Sequence, residues 1–242
     1  MFRSTTKSVT YRLAVGMFLV PLLQGVAVAQ AGQSPRLGTI TGRVTVWDEG
    51  DKQADDVSQT VVWIETVVPV AMPVETVTVN TSKKEFQPRL VVIPVGSSVT
   101  FPNTDAFDHN VFSLTDNALF DLGSFGRGEA RGTTFTRPGI ARIYCNVHPN
   151  MSSVVVVRDN PYYALPSADG SFTISDVPVG TYVLHAWHER ANNPVSQQVE
   201  VTGNVSGELA LQLDAREYEF VQHLNKFGRP YSTARRGRRY QE

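Results

Sequence analysis

Apolar residues recur along this chain in short alternating or β-branched runs, and no long segment carries a convincing helical period. Gly, Pro, Asn and Asp punctuate the runs, which is how strands separated by turns are written. The pattern predicts strands at Ile40–Trp47, Thr60–Val67, Glu75–Val79, Val91–Pro94, Ser98–Phe101, Asn110–Ser113, Gly132–Phe135, Ala141–Tyr144 and Met151–Val157. Further strands are predicted at Ser171–Ile174, Thr181–Trp187, Gln197–Val201 and Glu208–Leu213. Many short strands with turn signals between them imply an all-β architecture of sandwiches or barrels. With 242 residues there is room for one or two small domains, and 41% apolar content is enough to give each a core.

The first 29 residues stand outside that pattern. Arg3, Lys7 and Arg12 form a positive stretch without acids, Leu13 to Val26 is mostly apolar, and Ala27-Val28-Ala29 is a small-x-small site. This is the layout of a secretory signal peptide cleaved after Ala29. Pro21 and Gln24 break the apolar run, which is short for a membrane span. Export to the periplasm or the cell exterior is therefore expected.

Charge is unevenly distributed. The formal net charge is −1, and loss of the three leader cations leaves −4. Residues 220–242 carry six cations against Glu242, so the body 30–219 stands near −9. An acidic body argues against nucleic-acid binding. The basic tail, 215–242, reads as a frayed soluble end, with contact to an acidic partner or lipid headgroups as the other reading.

The single cysteine, Cys145, opens the segment Cys145-Asn146-Val147-His148-Pro149-Asn150-Met151. In an oxidising compartment an unpaired thiol needs a reason. Burial as an apolar side chain is one. Metal binding is the other, and the neighbours favour it: thiolate, imidazole and thioether within seven residues suit copper. The best further donor is His109, just before a predicted strand. His109, Cys145 and His148 make a trigonal set with Met151 as a weak axial ligand, the blue-copper arrangement. Structural zinc is the chemical rival, but it wants four thiolate, imidazole or carboxylate donors, and methionine serves it poorly.

These residues resemble the cupredoxins, and the C-x2-H-x2-M spacing is similar to the amicyanin loop rather than the longer plastocyanin one. Phe86-x-Pro88, Gly96, Val99, Phe101-x-Asn103, His109-Asn110 and Pro138-Gly139 before Tyr144-Cys145 belong to the same resemblance, which covers roughly 75–159. It implies one type 1 copper ion on His109, Cys145, His148 and Met151, and gives Asn110 the task of tying the two ligand loops together. The stretch Ser113–Arg131 is longer and more polar than the simplest members need. The flanks resemble a carboxypeptidase-regulatory-like, or transthyretin-like, β-sandwich: Gly42-x-Val44-x-Val46, then Asp169-Gly170-x-Phe172-x-Ile174, then Val177-Pro178-x-Gly180-x-Tyr182-x-Leu184. The expected layout is 1–29 signal peptide, 36–72 and 162–214 as two parts of one sandwich, 75–159 as a cupredoxin Greek-key sandwich inserted in or adjacent to it, and 215–242 as tail.

The expected function is single-electron transfer by an exported copper protein that is not an enzyme. Its partner would be a redox protein, a dehydrogenase or a cytochrome, docking near His148 and the apolar Val147, Pro149, Phe107 and Phe112. Copper storage or delivery, or a recognition module with a vestigial site, are the alternatives, and the oligomeric state is left open. No Ser-His-Asp set, phosphate loop or H-E-x-x-H motif is present. Of the remaining histidines, His185 is expected on the outward face with Val183 and Trp187, with Trp187 packing between domains, and His223 is expected to be solvated.

Overall fold

Alternation of buried and exposed residues along Leu37–Asp48 sets the frame of the first sandwich in the computed structural model, which describes residues 36–231 apart from Ser206. The proposed signal peptide and residues 232–242 lie outside the described residues. Leu37–Asp48 runs antiparallel to Ser171–Pro178 on one side and parallel to Leu209–Asp214 on the other. A second sheet has the order Tyr163–Ala164, Thr60–Ile64, Gly180–His188, Val195–Val201. Ile40, Val44, Val62, Ile64, Leu184 and Leu211 are among the residues that fill the space between them. A Cβ on Gly42 would lie 2.5 Å from the Leu209 carbonyl oxygen and 2.6 Å from the Phe172 ring, so three strands meet there only because residue 42 has no side chain. Strands before residue 65 thus pair with strands after residue 162, across everything between.

The intervening segment builds a second sandwich. One sheet has the order Ala118–Phe125, His109–Thr115, Gly139–Tyr144, Ser152–Arg158, Leu90–Pro94, the last pair parallel. The other has Ala130–Thr134, Ser98–Pro102 and Thr76–Thr78. Their core holds Phe86, Ile93, Phe101, Phe125, Phe135 and Ile143, and also Cys145 and Met151. The protein is all-β: no helix occurs among the described residues.

The two sandwiches share a wall. Val155 and Val157 face the second core, while Val154 and Val156 pack with Leu90 against Val61 and Trp187 of the first. This explains why the four valines from 154 to 157 run without a polar break: a strand buried on both faces has no solvent side to mark. Trp187 therefore packs between the sandwiches. Arg89 and Glu189 add an ion pair across the same seam, at 3.0 and 3.1 Å.

Three expectations change. No strand is predicted between Ser113 and Gly132, yet Ala118–Phe125 is an edge strand on His109–Thr115. Its outer residues meet water, so the apolar signal is half missing. Trp187 does not share the exposure of Val183: it is buried, and His185 is largely covered by stacking on Trp63 at 5.2 Å. The tail does not fray at residue 215. Ala215 is buried and donates its amide to Trp47, and the chain goes on to cross the second sandwich.

His188, next to Trp187, is 2% exposed. Burial, helped by Arg190 and opposed by Glu189, Asp56 and Asp48, pulls its pKa down to about 4. The unfolded chain binds that proton near pH 6.5, so this stabilising contribution is complete above pH 6.5 and is lost as pH falls towards 4. Urea unfolding at several pH values is expected to show the wild type losing up to about 3 kcal/mol more than His188→Gln over that window. Parallel pH profiles would remove His188 from the account.

Candidate metal centre

Two loops at one end of the second sandwich bring the site together. The first, 103–108, precedes the strand His109–Thr115 and delivers His109 as its opening residue. The second follows Gly139–Tyr144 and delivers Cys145, His148 and Met151. It is closed by its own backbone: Cys145 N–H donates to the Met151 carbonyl at 3.1 Å, and Met151 N–H to the His148 carbonyl at 3.0 Å. Seven residues thereby form a tight turn whose first and last members both drop into the core.

The candidate donor atoms converge. His109 Nδ1 and His148 Nδ1 are 3.2 Å apart, and Cys145 Sγ lies 3.6 Å from the first and 3.8 Å from the second. A point equidistant from all three sits about 2 Å from each, the length of a first-row metal–nitrogen bond and slightly under a metal–thiolate one. Among the described residues this is the one group of three or more His, Cys, Asp or Glu side chains gathered in this way. His109 and Cys145 are fully buried, Met151 is 1% exposed in the core, and His148 is partly open. Phe107, 40% exposed, tilts against both imidazoles at 5.4 and 5.2 Å.

A carboxylate holds the first ligand in register. His109 Nε2 lies 2.9 Å from Asp105 Oδ2, and a carboxylate can only accept, so the proton belongs on Nε2 and Nδ1 offers a lone pair. Asp105 also accepts from the Lys83 and Lys84 amides at 2.7 and 3.0 Å. Both lysines have positive φ, 56° and 62°, as a two-residue hairpin turn demands, and this aims their amides at the carboxylate. Burial raises the Asp105 pKa, but those two amides and His109 outweigh it and hold the carboxyl below its ordinary value. Asn103 braces the same loop, donating to the Phe107 and Phe125 carbonyls at 2.9 and 3.1 Å and accepting from the Asp105 amide. Burial, helped by the Lys84 ammonium and opposed by Asp105, lowers the His148 pKa and so favours its neutral ring.

Asn110 does not tie the two ligand loops directly. Its amide donates to Asp121 Oδ1 at 2.6 Å, on the edge strand, and its Oδ1 is buried with no hydrogen-bond partner among the described residues. The edge strand, invisible in the apolar pattern, supplies Asp121 and takes that bond. His223 is not solvated either: its ring stacks on Tyr144 at 4.3 Å and 23°, beside the ligand loop. Asp105 and Asn103 brace the candidate site, and neither is singled out by the sequence. Asp105 stands four residues before His109, but nothing in the string separates it from Asp108, which points elsewhere.

Residues 74–158 match the family model of copper binding proteins of the plastocyanin/azurin family. No curated protein matches the chain. Among solved structures, the Cu-containing nitrite reductase NirK from Thermus scotoductus SA-01 shares 28% identity over 39% of this chain, with a TM-score of 0.33. The chain spans only 25% of that enzyme. A methionine-to-alanine mutant of amicyanin in its Cu(I) form is similar at 26% identity, over 40% of this chain and 98% of amicyanin, again with a TM-score of 0.33. The cupredoxin class of the 74–158 module, and copper as its cofactor, rest on the family match. The donor set fits: one thiolate and two imidazoles at metal-bonding separation, in a pocket largely shut to water.

Asp105→Ala leaves the His109 ring free to change tautomer and orientation. Its copper affinity is expected to fall about 10- to 100-fold in competition with a chromophoric chelator. An unchanged affinity would mean that the carboxylate holds nothing the strand does not already hold.

Proposed function

We propose that the chain is an exported electron carrier that holds one type 1 copper ion through His109, Cys145 and His148, with Met151 as the weak fourth ligand. The observation that carries the reading is the convergence of Cys145 Sγ and two Nδ1 atoms within 3.8 Å of one another at the rim of a β-sandwich core. Copper, when bound, supplies the one-electron couple. The protein's part is to keep the donors still, so that little rearranges when the charge changes.

Each residue has a physical task in this reading. Cys145, without exposure, keeps its sulfur from water and oxidants. His109 is oriented from behind by Asp105. His148 is the ligand with an open side, flanked by Phe107 and by Val147, which are 40% and 49% exposed. An apolar rim around a partly exposed ligand suits a transient protein partner, and the acidic body would draw a basic one. Complete burial of two of the ligands weighs against a delivery protein, whose ligands must be open to exchange.

The same proposal covers the rest of the chain. We read 36–72 and 162–214 as the two parts of a carboxypeptidase-regulatory-like sandwich, with 75–159 inserted between them. The support is the pairing of Leu37–Asp48 with Ser171–Pro178 and Leu209–Asp214. Insertion of a domain is tolerated where its ends emerge close together, and here the flanking strands Thr60–Ile64 and Tyr163–Ala164 are hydrogen-bonded neighbours.

Cu(II) added to the chain lacking residues 1–29 is expected to give an intense blue sulfur-to-copper band that vanishes on reduction and returns on oxidation. Cys145→Ser should abolish it. A copper-loaded wild type without that band would refute the proposal.

A further inference from the structure

The C-terminal segment lies along the ligand loop. Tyr231 donates its hydroxyl to the Cys145 carbonyl at 3.1 Å. Lys226 donates its backbone amide to Asn146 Oδ1 at 2.9 Å and its ammonium to Asp121 Oδ2 at 2.7 Å. Gln222 reaches Asn150 at 3.3 Å. The His223 ring covers Tyr144, the residue before Cys145, and meets Tyr231 edge-on at 5.5 Å. These contacts fall at both ends of the loop and on the strand that leads into it.

The segment also organises itself. Asn225 accepts from the Phe227 and Arg229 amides through its side chain, and its carbonyl accepts from Gly228, whose φ is +69°. That is a turn with its own stabilising bonds, and glycine is the residue that takes its left-handed position without cost. At its other end the segment springs from Ala215, buried in the core of the first sandwich.

A route between the two ligand loops then becomes visible. Asn110, which follows His109, donates to Asp121; Asp121 accepts from Lys226; Lys226 donates to Asn146, which follows Cys145. We infer that residues 217–231 form a clasp that completes the brace between the His109 loop and the Cys145 loop and sets how firmly the copper is kept. Its second half rests on the copper reading above; its first half does not. The Lys226–Asp121 pair is partly exposed and weak alone. Tethering at Ala215 makes the contacts intramolecular, so several weak ones suffice.

Three variants test the clasp: a chain ending at Glu217, Lys226→Met, and Lys226→Arg, which keeps a cation for Asp121. The first readout is amide hydrogen exchange in the copper-free protein. In the chain ending at Glu217, protection of residues 145–151 is expected to fall at least about tenfold while Ser152–Arg158 is unchanged. The second is copper release to a chelator, expected to quicken about tenfold or more in that chain, less in Lys226→Met, and to be restored by Lys226→Arg. The energy of the sulfur–copper band should shift in the truncated chain, which a clasp that merely stabilises the fold would not produce. Equal exchange in full and truncated chains would overturn the clasp. Altered exchange with unaltered copper release would overturn its role at the metal. A full-length protein that takes up no copper would sink the copper reading, while the exchange experiment still decides the clasp.

Discussion

Three electron-pair donors are packed within 3.8 Å of one another in a region from which water is largely shut out. Asp105 keeps a proton on His109 Nε2, so His109 Nδ1 faces the others as a bare lone pair. A single proton between the two rings can relieve only part of that crowding. A cation at the centre relieves all of it, and a thiolate with two imidazoles selects a soft or borderline one. The rest of the second sandwich can be understood as the scaffold that makes this arrangement tolerable. His109 is fixed at a strand start, Cys145 at a strand end, and the seven-residue loop is closed on itself by two backbone bonds.

Scaffold and flanking sandwich are joined through the strand Ser152–Arg158. Its odd and even valines serve different cores, so the site's last loop runs into a strand buried on both faces. Trp187 and Val61 press on that strand from the far side. The flanking sandwich thus stiffens the wall from which the Cys145–Met151 loop hangs, and its last strand, Leu209–Asp214, launches the segment that returns over the loop. Two separate connections, one through packing and one through hydrogen bonds, link the flanking domain to the site.

Much of this was legible in the string. Alternating runs gave the strands, because half-buried strands write period two into the sequence. Cys145, His148 and Met151 were legible because chemistry at close spacing is local, and His109 because a histidine ahead of a strand in the matching module had few competitors. What stayed hidden depends on long-range contacts or on surfaces facing water. Ala118–Phe125 has an exposed face with polar residues, so its pattern is diluted. The hairpin Asn80–Ser82 with Glu85–Gln87 is too short to show a period, yet its turn amides hold Asp105. Asp105 and Asp108 look alike until the loop is folded. Composition suggested a frayed tail, since a basic, apolar-poor end normally stays solvated; the exception arises from specific partners such as Asn146 and Asp121, which no local pattern announces.

The central claim is that a single copper ion is held by Cys145 together with His109 and His148. X-ray absorption at the copper edge of the loaded protein tests it most directly. One sulfur scatterer at short range with two imidazole nitrogens is the predicted result, with loss of that sulfur in Cys145→Ser. A first shell made only of nitrogen and oxygen in the wild type would contradict it.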